Sequence, residues 1–491
     1  MNELRLTLAA VLAALLALAG CASRPINEPI AQVDPQSGYR WNLLVEKIPN
    51  NDPHTLFVLA FSGGGTRAAA FSYGVLEELL RTEIVVDGQK RRFIDEVDGI
   101  VGVSGGSFTA LSYALYGDRL FSEYEERFLK RDVEGELVSR ALNPFNWYKF
   151  VGGTAGRSDM AADYYDETLF QGATFNDLLK KSGPVALASA TDLSTGYRFV
   201  FSQYDFDLIC SDLGKLRLAR AAATSSAVPV VLSAITLNNY GGTCSYQYPA
   251  WVRAIADPDR RTRLSAHAVQ HYKQMQALQN SQERPYLHLI DGGVSDNIGM
   301  RMVLDAFEQI FANASFREAM DFGRYRRVAL IVANARSSPR IDWDRSEAPP
   351  GFIEQLLQST SVPIDNFSFE TVEAMRDRVQ TYALRRELLI AKARLAGATE
   401  AEAEARANAI LPNLDFYPIS VSFDEIADPQ ERDYFMNLPT SFVLPGGAVD
   451  RLREIAGRLL RQSPDYQRML RDFGGPVAGP GPGPGEAGMG Q

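Results

Sequence analysis

The chain has little cysteine, little histidine and no excess of positive charge. Three cysteines in 491 residues exclude a disulfide scaffold, and 46% hydrophobic with 22% charged residues excludes a collagen-like or wholly disordered protein. The 50 Lys and Arg residues against 60 Asp and Glu residues give a formal charge of −10. This balance argues against a nucleic-acid partner, because phosphate neutralisation requires clustered basic residues. The information about function therefore lies in short motifs.

The N-terminal apolar run, residues 6–19, is too short to cross a bilayer and ends in small residues, which is typical of a signal peptide. Gly20 and Cys21 follow, and this ending is similar to the bacterial lipobox, in which the cysteine is lipidated and becomes the first mature residue. Ala22 stands after the cysteine instead of Asp, which by resemblance to enterobacterial sorting favours the outer membrane. We therefore expect a lipid-anchored protein of the bacterial cell envelope. The alternative is a cleaved secretory signal with an incidental cysteine.

Export changes how the other two cysteines, Cys210 and Cys244, are interpreted. In an oxidising periplasm they can pair and staple the loop between two strand-like runs. Two buried free thiols are the alternative.

Apolar runs of strand length alternate with helical patterns over much of the chain. The predicted buried strands are Leu56–Phe61, Ile100–Val103, Val185–Ala190, Leu287–Ile290 and Val328–Val332. Their alternation with helices predicts an α/β fold with a mainly parallel sheet flanked by helices. The predicted segments are a signal peptide (1–20), a polar tether (21–53), an α/β catalytic domain (54–345), a helical C-terminal extension (346–473) and a disordered Gly/Pro tail (474–491).

The helical character of the extension depends on two patterns. Thr399 and Glu402 form a capping box at a helix start. Val449, Leu452, Ala456 and Leu459 recur with the spacing of one helix face.

The segment Gly102–Gly106 has the form G-x-S-x-G and follows the predicted strand Ile100–Val103. A strand that turns sharply into a helix exposes the serine hydroxyl, and the flanking glycines remove Cβ clashes in that turn. Ser104 is therefore a candidate nucleophile. The alternative is a structural glycine turn, since chance produces the pattern in roughly one in five chains of this glycine content.

A second glycine-rich turn, Ser62–Ala68, follows the predicted strand Leu56–Phe61. Consecutive glycines at a helix start present bare backbone N–H groups, which suit either a phosphate or the oxyanion of acyl transfer. A nucleotide-binding loop needs G-x-x-x-x-G-K-[ST], which is absent, and a dinucleotide-binding loop needs a third glycine where Ala68 stands. A plain tight turn remains as the alternative to an anion site.

The third motif, Asp291–Gly293, follows the run Leu287–Ile290. The three motifs thus follow three strands, and ligands of α/β sheets bind at the carboxyl ends of parallel strands. A carboxylate that is partly shielded from water becomes more basic, so Asp291 can accept a proton from a serine hydroxyl. Most Asp-Gly pairs are merely turns, which is the alternative for this motif.

The four histidines decide between a dyad and a triad. No histidine follows position 288, so the Asp-Gly-Gly carboxylate cannot stand in a triad of the order Ser, Asp, His. A triad of Ser104, Asp192 and either His267 or His271 stays formally open, but a dyad fits better. His267 and His271 are four residues apart, a spacing that suits a zinc site on a helix. However, Ala268 stands where the motif H-E-x-x-H has Glu, so a solvated helix face is favoured over a metal site.

Read in chain order, these motifs resemble the patatin-like phospholipase family over about residues 54–305. Ser62–Ala68 is similar to its glycine-rich oxyanion segment, Gly102–Gly106 to its nucleophile elbow, Arg220–Pro229 to its small-residue block before a proline, Asp291–Gly293 to its Asp-Gly-Gly element, and Ala190–Gly196 to a further family segment. Ala68 departs from the family pattern, which usually has glycine at that position.

The resemblance implies a Ser104–Asp291 dyad that hydrolyses ester bonds of acyl lipids without metal or cofactor. The oxyanion is then held by backbone N–H groups of the two turns, from the set Gly63, Gly64, Gly65 and Gly105. The other residues associated with the motifs are Arg67, Gly102, Gly106, Gly292 and Gly293. Arg67 assists a phosphate or orients the loop, and the alternative is a surface charge at a helix start.

The expected protein is a membrane-anchored serine acyl hydrolase acting on phospholipid or lysophospholipid. An acyltransferase with the same dyad and a non-catalytic envelope binding module are the two alternatives. The aromatic stretch Pro144–Phe150 suits an interfacial lid or ordinary core packing.

Overall fold

A computed structural model describes residues 24–49, 51–144, 156–256, 266–312 and 314–475. Its strands are β1 (Thr55–Phe61), β2 (Glu83–Val86), β3 (Gln89–Arg92), β4 (Gly99–Val103), β5 (Val185–Asp192), β6 (Arg198–Val200), β7 (Ile235–Asn238), β8 (Tyr286–Asp291), β9 (Arg327–Asn334) and β10 (Asp415–Ser422). All five strands predicted from apolar runs are confirmed. Four of them are buried on both faces of the sheet, which selects such runs, whereas β8 exposes Tyr286 and His288.

The described helices surround this sheet. In the first half they are α1 (Trp41–Leu44), α2 (Gly65–Arg81), α3 (Gly105–Tyr116), α4 (Leu120–Tyr124), α5 (Val133–Leu142), α6 (Arg157–Tyr165), α7 (Phe175–Leu178), α8 (Gln203–Leu208) and α9 (Leu218–Ser225). In the second half they are α10 (Ala250–Ala256), α11 (Ala266–Leu278), α12 (Gly293–Asp296), α13 (Arg301–Ala312), α14 (Ala314–Ala319), α15 (Phe352–Leu395), α16 (Glu400–Ile410), α17 (Pro429–Met436), α18 (Gly446–Gln462) and α19 (Pro464–Asp472).

The main sheet has the strand order β10-β9-β1-β4-β5-β8-β7, with β6 paired to β5. The pairs from β10 to β5 are all parallel, which confirms the predicted α/β class with a mainly parallel sheet. Helices α2 and α3 begin immediately after β1 and β4, so both glycine-rich turns lie at the carboxyl edge of the sheet.

Strand β8 runs in the direction opposite to the one expected. It pairs antiparallel with β5, with Ala190 opposite Asp291 and Asp192 opposite Leu289. Strand β4 ends at Val103, opposite Ser189. Strand β8 therefore starts beyond the carboxyl edge of the parallel strands and runs inward, so that its last residue arrives beside the end of β4.

The segment predicted to be a tether packs against the domain from Arg24 onward. Tyr39 is buried, and its hydroxyl donates to the carbonyl of Ala186 at 3.1 Å and accepts from the Ala186 N–H at 2.9 Å. The buried guanidinium of Arg40 lies 2.7 Å from the carboxylate of Asp207. The polar, proline-containing segment 24–49 is thus ordered against the domain, because the domain supplies partners for its polar groups.

The C-terminal extension is helical, and it also supplies the edge strand β10, which the sequence did not predict. Pro418 lies inside this strand, in register with Leu330 of β9. A proline removes a hydrogen-bond donor and is tolerated on an edge strand, where one side of the backbone has no neighbour. The capping box of Thr399 and Glu402 is confirmed at the start of α16.

Helix α18 packs against α2, and the predicted apolar face of α18 is buried there. Arg453 of α18 makes an ion pair with Glu77 of α2, with 2.7 Å between guanidinium nitrogen and carboxylate oxygen. The extension thus covers the helix that follows the first glycine-rich turn. Across the described ranges, no helix combines the length and apolarity required to cross a membrane.

Candidate active site

The turn between β4 and α3 holds Ser104 in a left-handed backbone conformation, with φ 49° and ψ −122°. Such a conformation is unfavourable for a residue with a Cβ and persists only where the surroundings enforce it. A Cβ on Gly102 would lie 2.6 Å from the Cα of Ser107, and a Cβ on Gly106 would lie 2.5 Å from the carbonyl oxygen of Phe61. The G-x-S-x-G pattern is therefore required by close backbone packing.

Ser104 and Asp291 are joined by a hydrogen bond. The Ser104 hydroxyl donates to Oδ2 of Asp291 at 2.8 Å, and Oδ1 accepts from the N–H of Gly293 at 2.7 Å. Both side chains are buried. Burial raises the pKa of Asp291 to about 6, against the opposing effect of these two hydrogen bonds. A carboxylate with that pKa is a base suited to proton transfer near neutral pH.

The small-residue block before Pro229 holds both members of this pair. The hydroxyl of Ser225 accepts from the N–H of Ser104 at 2.8 Å. The carbonyl of Ala227 accepts from the N–H of Asp291, and that of Ser225 accepts from the N–H of Gly292, both at 3.0 Å. The family resemblance singled out this block, but neither spacing nor residue type indicated that Ser225 and Ala227 would position the dyad.

Backbone amides of both turns converge beside Ser104. Gly65 begins α2 and Gly105 begins α3, and their backbones are in direct contact. Within the part of the chain that is described, the N–H groups of Gly64, Gly65 and Gly105 donate to no acceptor. Two helix N-termini with free N–H groups form a site for negative charge.

Gly63 does not belong to this set, although the sequence predicted that it would. Its N–H donates to the carbonyl of Asn297 at 2.9 Å and is unavailable to an oxyanion. A Cβ on Gly63 would overlap Oδ1 of Asn297 and lie 3.2 Å from the Cβ of Ser104, so a side chain at this position would push both neighbours aside. Asn297 lies four residues after the third motif, Asp291–Gly293, and the sequence pattern assigned it no role.

Arg67 is buried, so the interpretation as a surface charge is wrong. Its Nε donates to the carbonyl of Ala335 at 2.9 Å, and its Nη1 donates to the carbonyl of Leu438 at 2.7 Å. Its Nη2 donates to the hydroxyl of Thr440 at 2.9 Å. Burial lowers the pKa of Arg67 to about 10, with Asp365 opposing the shift. Arg67 orients the loop by tying the first helical turn of α2 to the C-terminal region.

With this geometry described, comparison with known proteins identifies the family. The model of the patatin-like phospholipase family matches residues 59–304, half of the chain. The chain belongs to the patatin-like phospholipase family. Its matched part is therefore a lipid acyl hydrolase domain, as predicted.

Solved structures show a weaker likeness to this patatin-like chain. Human GIVD cytosolic phospholipase A2, in complex with methyl gamma-linolenyl fluorophosphonate, is 12% identical, with a TM-score of 0.38 over 88% of this chain and 61% of that one. A second structure of the human enzyme has a TM-score of 0.34 at 13% identity over 61% of this chain and 49% of that one. VipD from Legionella pneumophila is 11% identical, with a TM-score of 0.24 over 90% of this chain and 72% of that one. No curated protein matches the chain.

The patatin-like chain does not assemble the alternative triad. The carboxylate of Asp192 binds the guanidinium of Arg284 at 2.6 Å and the hydroxyl of Thr195 at 2.5 Å. His267 is exposed, whereas the ring of His271 packs against Tyr197 at 5.6 Å between centroids, so only the first fits a solvated helix face. Among the described residues, no cluster of three potential metal ligands occurs.

Cys210 and Cys244 form a disulfide with 5.5 Å between their Cα atoms. The predicted lipidation site Cys21 and most of the aromatic stretch, residues 145–150, lie outside the described residues, as does most of the predicted tail. The disulfide encloses the segment that carries Ser225 and Ala227.

Proposed function

We propose that this protein is a membrane-anchored serine esterase that releases acyl chains from phospholipid or lysophospholipid through a Ser104–Asp291 dyad. The observation that carries the proposal is the 2.8 Å hydrogen bond from the Ser104 hydroxyl to Asp291, beside three amides without an acceptor in the described chain. Membership of the patatin-like family supports the lipid class of the substrate.

In the first half-reaction, the Ser104 hydroxyl loses its proton to Asp291 as its oxygen attacks the ester carbonyl. The negative charge that develops on the carbonyl oxygen is stabilised by the N–H groups of Gly64, Gly65 and Gly105. Asp291 then delivers its proton to the departing alkoxide of the glycerol backbone. The C–O ester bond breaks, and the acyl group remains on Ser104.

In the second half-reaction, Asp291 takes a proton from water as the water oxygen attacks the acyl-serine carbonyl. The same amides hold the second oxyanion. The bond between the acyl carbon and the serine oxygen breaks, and the proton returns to Ser104. A free fatty acid leaves, and the enzyme is restored without any cofactor.

We place this activity in the bacterial cell envelope, with the protein attached to the outer membrane by a lipid on Cys21. The short apolar leader ending in Leu-Ala-Gly-Cys and the Ala at position 22 support this location. Metabolic labelling with a palmitate analogue tests the anchor. Labelling of the parent chain and its loss in Cys21→Ala is the expected result, and equal labelling of both would contradict it.

Active-site labelling tests the enzymatic proposal. A fluorophosphonate probe is expected to label the full chain through a stable bond to Ser104. The Ser104→Ala variant is expected to take up no label and to release no fatty acid. Ser112→Ala is the matched control, because Ser112 is a buried serine two turns farther along α3 and does not contact the dyad. Equal labelling of parent and Ser104→Ala overturns the proposal. Free fatty acid as product supports hydrolysis, whereas an acyl group on an added lipid acceptor would indicate transfer.

A further inference from the structure

Exposed apolar side chains occur on three segments that are hydrogen-bonded to the candidate site. We call them the apolar rim: Val230, Val231, Phe367, Phe369 and Val443. Contiguous apolar groups exposed around a functional site are typical of surfaces that meet a membrane or another protein.

Each part of the rim is attached to a different element of the site. Val230 and Val231 follow Ala227, whose carbonyl accepts the Asp291 N–H at 3.0 Å. Val443 lies two residues after Ser441, whose carbonyl accepts the N–H of Thr66 at 2.9 Å, in the glycine-rich turn. The rim is therefore built around the site from distant parts of the sequence.

The third side of the rim is on α15. Phe367 and Phe369 flank Ser368, whose hydroxyl accepts from the side-chain amide of Asn297 at 3.2 Å. Asn297 in turn accepts the N–H of Gly63. The two phenylalanines are 43% and 59% exposed, whereas Ser368 between them is buried.

This part of α15 has an apolar, weakly charged character. Residues 352–369 include only two charged side chains, those of Glu354 and Asp365, and no Lys or Arg. The exposed positions Phe352 and Val362 extend the apolar character of the helix away from the site. A surface of this kind suits the acyl region of a bilayer. The guanidinium of Arg301 lies over the ring of Phe367, 4.9 Å from its centre, so a basic group stands at the border of the rim, where it can face lipid phosphates.

The N-terminal segment reaches the protein at the same end of the sheet. Arg24 donates to the carbonyl of Thr236 at 3.0 Å, and Thr236 lies opposite His288 in β8. Strand β8 runs inward from beyond the carboxyl edge toward Asp291, so Arg24 is held beyond that edge, on the side where Ser104 lies. Cys21 precedes Arg24 by three residues, which span at most about 10 Å.

We infer that the apolar rim is a membrane-docking surface, and that it seats the Ser104–Asp291 site on the phospholipid bilayer that carries the N-terminal lipid. This inference rests on the proposed function. Arg24, three residues after the proposed lipid site, is held at the end of the sheet where the rim segments meet the site, so an anchor on Cys21 is compatible with contact between the rim and the same bilayer.

Vesicle flotation tests the inference independently of catalysis. The mature chain, which starts at position 21 and carries Cys21→Ser and Ser104→Ala, has neither the apolar leader, the lipid anchor nor the nucleophile. It is mixed with vesicles of phosphatidylethanolamine and phosphatidylglycerol, and the floated fraction is measured. Adding Phe367→Asp with Phe369→Asp is expected to lower the apparent vesicle affinity at least ~10-fold, because two charged groups replace apolar groups that enter the bilayer.

The matched control is Leu384→Asp with Leu388→Asp on the distal half of the same helix. These leucines are 57% and 53% exposed, so the same charges are added to the same helix away from the rim. The control is expected to float like the parent. An unchanged floated fraction of the rim variant, or an equal loss in the control, overturns the inference.

A second variant, Val230→Ser with Val231→Ser, tests the opposite side of the rim and is expected to lower the affinity ~3-fold or more. If the phenylalanine variant has a lower thermal unfolding midpoint than the control, its loss of affinity could come from altered folding. The valine variant then provides the test of membrane docking. A rim that instead joins two copies of the chain would be revealed by a dimer in the parent that becomes a monomer in the rim variant, and this would overturn the inference. Flotation needs no esterase activity, so its failure is distinguishable from failure of the proposed dyad.

Discussion

Ser104 and Asp291 are held in different ways, although one hydrogen bond joins them. Ser104 lies on a turn whose shape is imposed by neighbouring glycines and by backbone atoms in contact. Asp291 lies at the end of an antiparallel strand, and the N–H groups of Asp291 and Gly292 donate to the carbonyls of Ala227 and Ser225. The difference teaches that the shape of the nucleophile turn follows from its own glycines, whereas the position of the base depends on topology, and that Ser225 supports both residues from a distant part of the chain.

The largest expected effect comes from crowding the nucleophile turn. In Gly105→Ala, the new Cβ would lie 2.8 Å from the carbonyl carbon of Gly65 and 2.9 Å from its nitrogen. The two turns must separate, and kcat is expected to fall ~10²–10³-fold because an oxyanion donor moves away.

Gly447→Ala on α18 is the control, since no atom lies within 4 Å of its added Cβ. Its esterase rate should equal that of the parent. If Gly105→Ala also retained the full rate, close packing would not be what positions Ser104.

The second prediction concerns the base and follows from its raised pKa. Because burial raises the pKa of Asp291 to about 6, the carboxylate is protonated as the pH falls below that value. The kcat/KM for a short-chain ester should show an acidic limb near pH 6 and lie roughly tenfold below its plateau at about pH 5. If kcat/KM instead fell with a midpoint near pH 4, the carboxylate of Asp291 would have an ordinary pKa and would not be shielded from water as described.

The third prediction addresses the residue that supports both sides. Ser225→Ala removes the acceptor for the Ser104 N–H and leaves a buried donor without a partner. An unpaired buried donor costs about 1 kcal/mol or more, so kcat should fall roughly three- to tenfold.

Ser226→Ala is the control for that variant. Its hydroxyl is equally buried, but it donates to the carbonyl of Ala222 in its own helix and does not contact the dyad. A similar loss in both variants would mean that α9, and not the Ser225 hydroxyl, carries the effect.

The fourth prediction concerns stability, and the expected change in stability has the opposite sign to the change in activity. The folded chain holds Asp291 with a pKa of about 6, above its ordinary 3.8, so folding favours the neutral carboxyl and is opposed once the group ionises. Asp291→Asn should therefore be inactive yet more stable at about pH 8, by on the order of 1–3 kcal/mol. Denaturant unfolding should show the gain shrinking as the pH falls from about 6 toward 4. A constant gain across that range would point to packing instead of charge.

The sequence predicted the strands, the nucleophile turn and the partner carboxylate, because each depends on neighbours in the chain. Apolar runs, the glycines around Ser104 and the missing later histidine are all local or countable features. The direction of β8 was not predictable in this way, since a short buried strand carries no mark of its orientation.

The same distinction explains the other differences. Gly63 donates its N–H to Asn297, and Arg67 reaches Leu438 and Thr440, partners that are remote in sequence. The edge strand β10 was missed because Pro418 argues against a strand unless its edge position is known. Residues 24–49 looked like a tether because their polar groups find partners only in the folded chain.

The bonds of Arg67 also join parts of the chain that leave the ribosome at very different times. The nucleophile turn and the glycine-rich turn emerge early from the ribosome, but the Leu438 carbonyl and the Thr440 hydroxyl that orient Arg67 lie 371 and 373 residues later. Contacts so remote in sequence form only after most of the chain is available. A nascent chain that has not yet reached Leu438 therefore contains Ser104 and the glycine-rich turn without the partners that orient Arg67.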